Sequence, residues 1–274
     1  MRTFSEVADG VIVMTSRRHA TTSTLVLGDA GSVVVDPAWD ADELAGVAAV
    51  LTAVGSTAAA GLATHVHYDH VLWHPSLPPV PRWASPWSVR QWEVQRGRLL
   101  QPLVGDLPAD LLAVTGRITS LPDAPRAADE VPTAPYPRDT PLPVPYPLAW
   151  EGREVILHEH DAHARGHVAV EIPDAGTVLA GDMLSDVELP MPDDEDADLV
   201  PYLVGLDRLA PVLARCRVLV PGHGTPTDDP LDRLDADRRY LDAVLSGRDP
   251  QDPRIALPGM RELHDRTIAQ AAAT

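Results

Sequence analysis

An α/β fold is predicted for this 274-residue chain by three observations. Short runs rich in β-branched residues at 11–14, 24–27 and 33–35 are separated by Gly- and Asp-containing turns, which is the pattern of strands. The stretch 40–54 repeats Ala, Leu and Val at spacings of three and four, the pattern of an amphipathic helix. A second series of short apolar runs at 154–158, 168–172 and 178–180 is followed by a helical stretch at 198–214 and a strand at 218–220.

Each further element has a local reason. The apolar run 61–64 leads directly into a cluster of His and Asp. A helix is expected at 86–100, because Pro86 suits a first turn and the next Pro is Pro102. Another is expected at 107–119. The Pro-rich stretch 121–147 is expected to be an extended surface loop, since Leu, Val, Tyr and Trp recur in and around it. Leu199, Leu203, Leu206, Leu209 and Leu213 share one helix face. Charged amphipathic helices are expected at 230–245 and 260–273. The length suits one domain spanning 1–274, with a Pro-rich insertion at about 75–150 that shapes a pocket.

The chemistry is concentrated in His65-Val66-His67-Tyr68-Asp69-His70. In an extended segment His65 and His67 would point to the same side. Asp69 and His70 follow where the chain must turn. Neutral imidazole and carboxylate suit zinc or iron and leave positions open for water and substrate. A His-rich loop that picks up stray metal would lack partners downstream, and here partners follow. His163 lies in a Gly-bounded segment, Asp182 ends the run 177–181, and His223 lies in Pro221-Gly222-His223-Gly224. Strand ends that feed loops are where rigid scaffolds carry function. Each alone reads as a turn or a helix cap; together, their types and order specify much more.

This series resembles the metallo-β-lactamase superfamily of metallohydrolases. The motif His-x-His-x-Asp-His is matched at 65–70. The single His of the next motif is matched by His163, with Gly166 three residues on, which favours His163 over His160. The bridging Asp is matched by Asp182 after Gly181, and the last His by His223. The strand 33–35 ending in Asp36 is also similar, and the resemblance spans about residues 10–224. It implies a four-layer αββα sandwich and two divalent metal ions, zinc first, with iron or manganese as alternatives. His65, His67 and His163 would hold one metal, Asp69, His70 and His223 the other, and Asp182 both. Two cations roughly 3.5–4 Å apart share a water and lower its pKa, and the bridging hydroxide attacks a carbonyl or phosphoryl centre. Asp69 is also the expected catalytic proton carrier.

Composition narrows the function. The formal net charge of −18 disfavours nucleic acid as a partner. All 22 basic residues are Arg, which removes Schiff-base, pyridoxal-phosphate and P-loop lysine chemistry. Cys216 is the single cysteine, so neither an internal disulfide nor a Cys-based zinc site can form; it reads as a packed residue. No stretch is apolar enough for a membrane span, and the N-terminal residues lack export features, so the expected location is cytoplasmic.

The leading expectation is a dinuclear metal-dependent hydrolase acting on a small ester, lactone or thioester. The alternatives are a persulfide-dioxygenase-like oxidoreductase with one iron, and a phosphodiesterase. A non-catalytic, metal-stabilised binding protein ranks below these, because a bridging set exceeds what structural metal needs. Glutathione thioesters rank lower for want of Lys, and β-lactams lower because no Cys is placed for the second site. Asp36 is a candidate to hold the ligand loop or a ligand imidazole. Thr64, Ser185, Asp186, Tyr202 and the tryptophans 73–92 are weaker candidates around the pocket. His74, His158, His160 and His167 are surplus to the ligand set. The acidic run 193–196 reads as a solvated helix start.

Overall fold

The computed structural model describes residues 4–125, 142–192 and 199–271. A seven-stranded sheet follows chain order: β1 (Ser5–Ala8), β2 (Val11–Thr15), β3 (Thr22–Gly28), β4 (Gly31–Val35), β5 (Ala58–Leu62), β6 (Arg82–Ala84) and β7 (Thr119–Ser120). Strands β1 to β4 form an antiparallel meander, and β4 to β7 run parallel. A second sheet contains β8 (Tyr146–Pro147), β9 (Ile156–His160), β10 (His167–Ile172), β11 (Thr177–Gly181) and β12 (Val218–Pro221) in that spatial order. Only its β11–β12 pair is parallel. The helices are α1 (Ala41–Ala53), α2 (Pro86–Leu100), α3 (Ala109–Val114), α4 (Leu199–Leu213), α5 (Pro230–Leu245) and α6 (Met260–Ala271).

Side-chain alternation on the strands builds the layers. Val11, Val13, Val26, Val33, Val35 and Leu62 face Leu157, Val168, Val170, Ile172, Leu179 and Val220 across the gap between the sheets. The intervening Ile12, Leu25 and Val34 point the other way and pack on Val47 and Leu51 of α1. On the second sheet, Ala169, Val178, Ala180 and Leu219 meet Leu206, Leu209 and Leu213 of α4 and Leu241 and Val244 of α5. The order is therefore helix, sheet, sheet, helix, the expected αββα sandwich. Among the described residues, no helix is long and apolar enough to cross a membrane.

The stretch 75–150 departs from expectation in two ways. The helix expected at 107–119 is only α3, because Gly116 turns with φ of +63° and lies against Trp92. A Cβ there would lie 1.8 Å from Trp92 Cζ2, so the close approach needs glycine. Beyond that turn the chain pairs as β7 rather than continuing as helix. The insertion at 75–150 also supplies β6, whose entry is marked by Gly61 N–H donating to Pro81 O at 2.8 Å. Of the loop expected at 121–147, residues 126–141 lie outside the described residues. At its flanks, Leu121 and Tyr146 are buried between the sheets. The acidic run 193–196 also lies outside the described residues.

Candidate metal centre

The strand ends bring the seven residues together. His65 to His70 follow β5, His163 lies between β9 and β10, Asp182 directly follows β11, and His223 follows β12. The expected extended geometry at His65 and His67 is not what forms. Residues 64–70 are bends and turns, with His70 N–H donating to His67 O at 3.1 Å. Tertiary bonds set that shape. Asp36 takes the Thr64 N–H at 2.8 Å, and Thr64 O takes the Val168 N–H at 2.8 Å. The two imidazoles still meet, with His65 Nε2 3.0 Å from His67 Nδ1.

Two clusters result: His65, His67, His163 and Asp182, and beside them Asp69, His70 and His223. Ligand atoms about 2.0–2.1 Å from a tetrahedral zinc stand about 3.3–3.4 Å apart. In the first cluster His163 Nε2 is 3.1 Å from His67 Nδ1, and Asp182 Oδ2 is 3.3 Å from His65 Nε2 and 3.5 Å from His163 Nε2. In the second, His70 Nε2 is 3.4 Å from His223 Nε2, and Asp69 Oδ2 is 3.7 and 3.5 Å from those two nitrogens. Asp182 joins both, with Oδ1 3.1 Å from His70 Nε2 and Oδ2 3.2 Å from His223 Nε2. Its Oδ1 is buried yet accepts no hydrogen bond, an arrangement a cation would satisfy. The donor set and spacing therefore fit two divalent cations sharing Asp182.

The remote ring nitrogens are held so that the facing ones offer lone pairs. His70 Nδ1 donates to Asp36 Oδ2 at 3.0 Å, His163 Nδ1 to Met191 O at 2.9 Å, and His223 Nδ1 to His19 O at 2.8 Å. His65 Nδ1 lies 3.1 Å from Thr64 Oγ1, which itself donates to Asp36 Oδ2 at 2.7 Å. Asp36, 3% exposed, thus orients one ring of each cluster.

Without cations the carboxylates and imidazoles shift one another strongly. Burial favours neutral His70, but Asp182, Asp69 and Asp36 outweigh it and hold the imidazolium well above its ordinary range. His223 is likewise raised to about 10, burial being overcome chiefly by Asp182. Burial would raise Asp182, yet His223, His70 and His65 hold it well below the carboxylate range. Asp69 is lowered in the same way by His70 and His223. Burial, then the charge at His70, keeps His65 neutral, and burial pushes His160 down to about 3. The Glu188 carboxyl is pushed up to about 7 by burial, with His223 opposing and Asp182 and Asp69 adding.

Several supporting residues were not evident from sequence. Residues 16–21 wrap the second cluster: Thr21 Oγ1 donates to Asp69 Oδ2 at 3.1 Å, beside the His19 carbonyl. Buried Glu43 of α1 anchors that segment through Ser16 Oγ at 2.7 Å and Arg17 N–H at 3.0 Å. The loop after Asp182 is braced from the C-terminal side. Buried Arg254 donates to Ser185 O, Glu188 O and Asp237 Oδ1 at 2.8, 3.0 and 2.7 Å. Asp237 Oδ2 takes the N–H of Leu184, whose φ is +62°.

The weaker candidates divide. Ser185 Oγ donates to His223 O at 2.7 Å, and Asp186 takes the N–H of Thr225 at 2.9 Å, so both hold the His223 turn. Tyr202 is fully buried and lines a small cavity with His163, Asp182 and Glu188. Trp73 and Trp92 are core residues. Trp83 packs partly buried against the core between the sheets. Trp87 stays partly exposed under Arg165. Tyr68 packs edge-on against Trp39. His74 bonds Ser76, and His158 pairs with Glu171 at 2.7 Å, both apart from the centre.

Comparison with known proteins agrees with this geometry. A family model described as the metallo-beta-lactamase superfamily matches residues 17–247. No curated protein matches by sequence at a significant level. Among solved structures, a metallo-beta-lactamase from Hirschia baltica is 17% identical with a TM-score of 0.60, over 85% of this chain and 94% of that one. One from Pontibacter korlensis is 16% identical with a TM-score of 0.58, over 86% and 96%. A third, from Pseudomonas aeruginosa in a mono-zinc form, is 17% identical with a TM-score of 0.57, over 99% and 95%. These likenesses establish a shared fold.

Proposed function

Because the chain belongs to the metallo-beta-lactamase superfamily, we propose that it is a two-metal hydrolase acting on a small ester, lactone or thioester. The observation that carries this reading is the sharing of Asp182. Its two oxygens lie 3.1–3.5 Å from four imidazole nitrogens drawn from both clusters. His65, His67 and His163 would hold one cation, Asp69, His70 and His223 the other, zinc being the first choice for this nitrogen and oxygen set. When bound, such a pair supplies an acidified water and polarises the oxygen of the group under attack.

The chain's own residues do the rest. Asp182 would offset the repulsion between the cations. Asp36 and the carbonyls of Met191 and His19 fix the tautomers, so the site is organised before substrate arrives. Asp69 would take a proton as the substrate reacts and pass it to the leaving group. Thr21 Oγ1 steadies its Oδ2 for that task at 3.1 Å.

The likeness to metallo-beta-lactamases does not move β-lactams to the front, since Cys216 lies outside both clusters. A complete second cluster favours hydrolysis over the one-iron oxidative reading. The test is a panel of ester, lactone, thioester, phosphodiester and β-lactam substrates with zinc- and manganese-loaded protein. Turnover is expected in the first three classes, with kcat lowered about 10²–10⁴-fold in Asp69→Asn. Two bound metals without turnover of any of the five would remove the hydrolase reading. Oxygen uptake with a single iron would replace it.

A further inference from the structure

Behind the metal ligands lie two imidazoles that the proposed reaction does not use. His65, His167 and His160 are stacked in succession, with ring centroids 5.0 and 4.6 Å apart and planes 28° and 27° from parallel. His65, His167 and His160 are all fully buried. His167 Nε2 accepts the main-chain N–H of Asp182 at 3.2 Å, and its Nδ1 faces His160 Nε2 at 3.2 Å. His160 Nδ1 faces the N–H of Ala162 at 3.3 Å.

These three contacts cannot all be hydrogen bonds between neutral rings. A neutral imidazole has one N–H and one lone pair. If Asp182 occupies the lone pair on His167 Nε2, the His167 proton is on Nδ1 and needs His160 Nε2 as its acceptor. The His160 proton is then on Nδ1, opposite the Ala162 N–H. If Ala162 is satisfied instead, the protons shift along the pair and His167 Nε2–H opposes the Asp182 N–H. The Ala162 contact is the longer and spans only one turn. The Asp182 contact is built into the fold. Gly181, with φ of +55°, has no side chain where a Cβ would lie 2.3 Å from His167 Nε2. The ring edge therefore rests directly on the peptide that carries the bridging carboxylate.

We propose that His160 and His167 are positioning residues acting as a tautomer-locked pair. His160 keeps the His167 proton on Nδ1, and His167 Nε2 thereby holds the main chain of Asp182 between the two metal sites. The stacked face of His167 sets the ring plane of His65 at the same time. The proposal rests on the bridging role given to Asp182 above, but its test uses no hydrolysis. Failure of the reaction assignment would therefore leave it standing or falling by itself.

The first readout is the tautomeric state in metal-free wild-type protein, from long-range proton–nitrogen NMR correlations on 15N-histidine label. Nδ1–H is expected for both His160 and His167; Nε2–H on His167 would overturn the proposal. The second is zinc affinity by competition with a chromophoric chelator. His160→Phe keeps the ring stack but removes the acceptor, whereas His160→Gln returns an acceptor oxygen near the Nε2 position. Zinc binding about 10–100-fold weaker is expected for Phe, with most of the loss recovered by Gln. A packing role would rank Phe above Gln, and that order would refute the lock. Should either variant fail to fold, the wild-type NMR result still decides.

Discussion

Replacing Asp36 by Asn leaves shape almost unchanged and removes one acceptor, which makes it the sharpest probe of how the centre is organised. Asp36 accepts from Thr64 N at 2.8 Å through Oδ1, and from Thr64 Oγ1 at 2.7 Å and His70 Nδ1 at 3.0 Å through Oδ2. Its φ of +47° is tolerated by Asn, so backbone strain does not enter. If the amide oxygen takes the Oδ2 place, the Thr64 N–H is left facing an NH₂ group. In the other orientation, the NH₂ confronts the Thr64 hydroxyl and His70. At least one buried charge-assisted bond is lost either way, a cost of about 1.5–3 kcal/mol. Asp36→Ala loses all three and adds about 1–2 kcal/mol of left-handed strain, a large share of a typical stability of about 5–15 kcal/mol. Urea unfolding of metal-free Asp36→Asn, followed by circular dichroism, measures the first quantity. Zinc competition then reports the orientation, because second-site affinity falls about 10–100-fold only when the NH₂ faces His70. Stability within about 0.5 kcal/mol of wild type, well below the expected loss, would refute the role given to Asp36.

Four further outcomes are expected. Arg254→Leu strands Asp237 in the interior and frees the Ser185 and Glu188 carbonyls, so urea unfolding should show a loss of about 3–5 kcal/mol; the Asp237→Leu double variant should recover part of it. Metal-free His70 and His223 are held protonated at pH 7, the latter up to about 10, and must lose those protons on coordination. Calorimetric zinc titrations in buffers of different ionisation enthalpy should thus show proton release at pH 7. In the metal-free protein, the stabilisation from the raised His223 is fully present below about pH 6.5 and lost as pH rises through about 10, that from the raised His70 is lost in the same direction, and that from the lowered Asp182 is lost in acid. Gly181→Ala forces a Cβ to within 2.3 Å of His167 Nε2 at a φ of +55°, and should lower Tm and weaken zinc binding together.

Where local chemistry decided structure, the sequence was legible. Helix α2 begins at Pro86 after the Ser85 cap, and α5 at Pro230 after the Asp229 cap, both with the expected bounds. The β-branched runs of β2 to β4, set between Gly- and Asp-containing turns, foretold the strands. All seven candidate ligands converge because each lies just beyond an apolar strand or in a Gly-bounded turn. Long-range contacts were less legible. Gly116 stops α3 because Trp92 lies against it, and β6 and β7 are too short to show a period. The turn at 64–70 depends on Asp36, which the sequence had marked as a candidate to hold the ligand loop, and on the Val168 N–H, which no local pattern in the motif reports. Thr21, the His19 carbonyl, Met191 and the Arg254–Asp237 brace act through the backbone or at great sequence distance. His19 with its φ of +53°, in the segment before β3, is the kind of feature only coordinates show.

The central claim is that two cations share Asp182. Elemental mass spectrometry of untagged protein, wild type and Asp182→Ala, tests it most directly. About two equivalents of zinc or manganese per wild-type chain, with at least one lost in Asp182→Ala, is the expected result. One equivalent of iron in wild type, or two metals retained without Asp182, would contradict it.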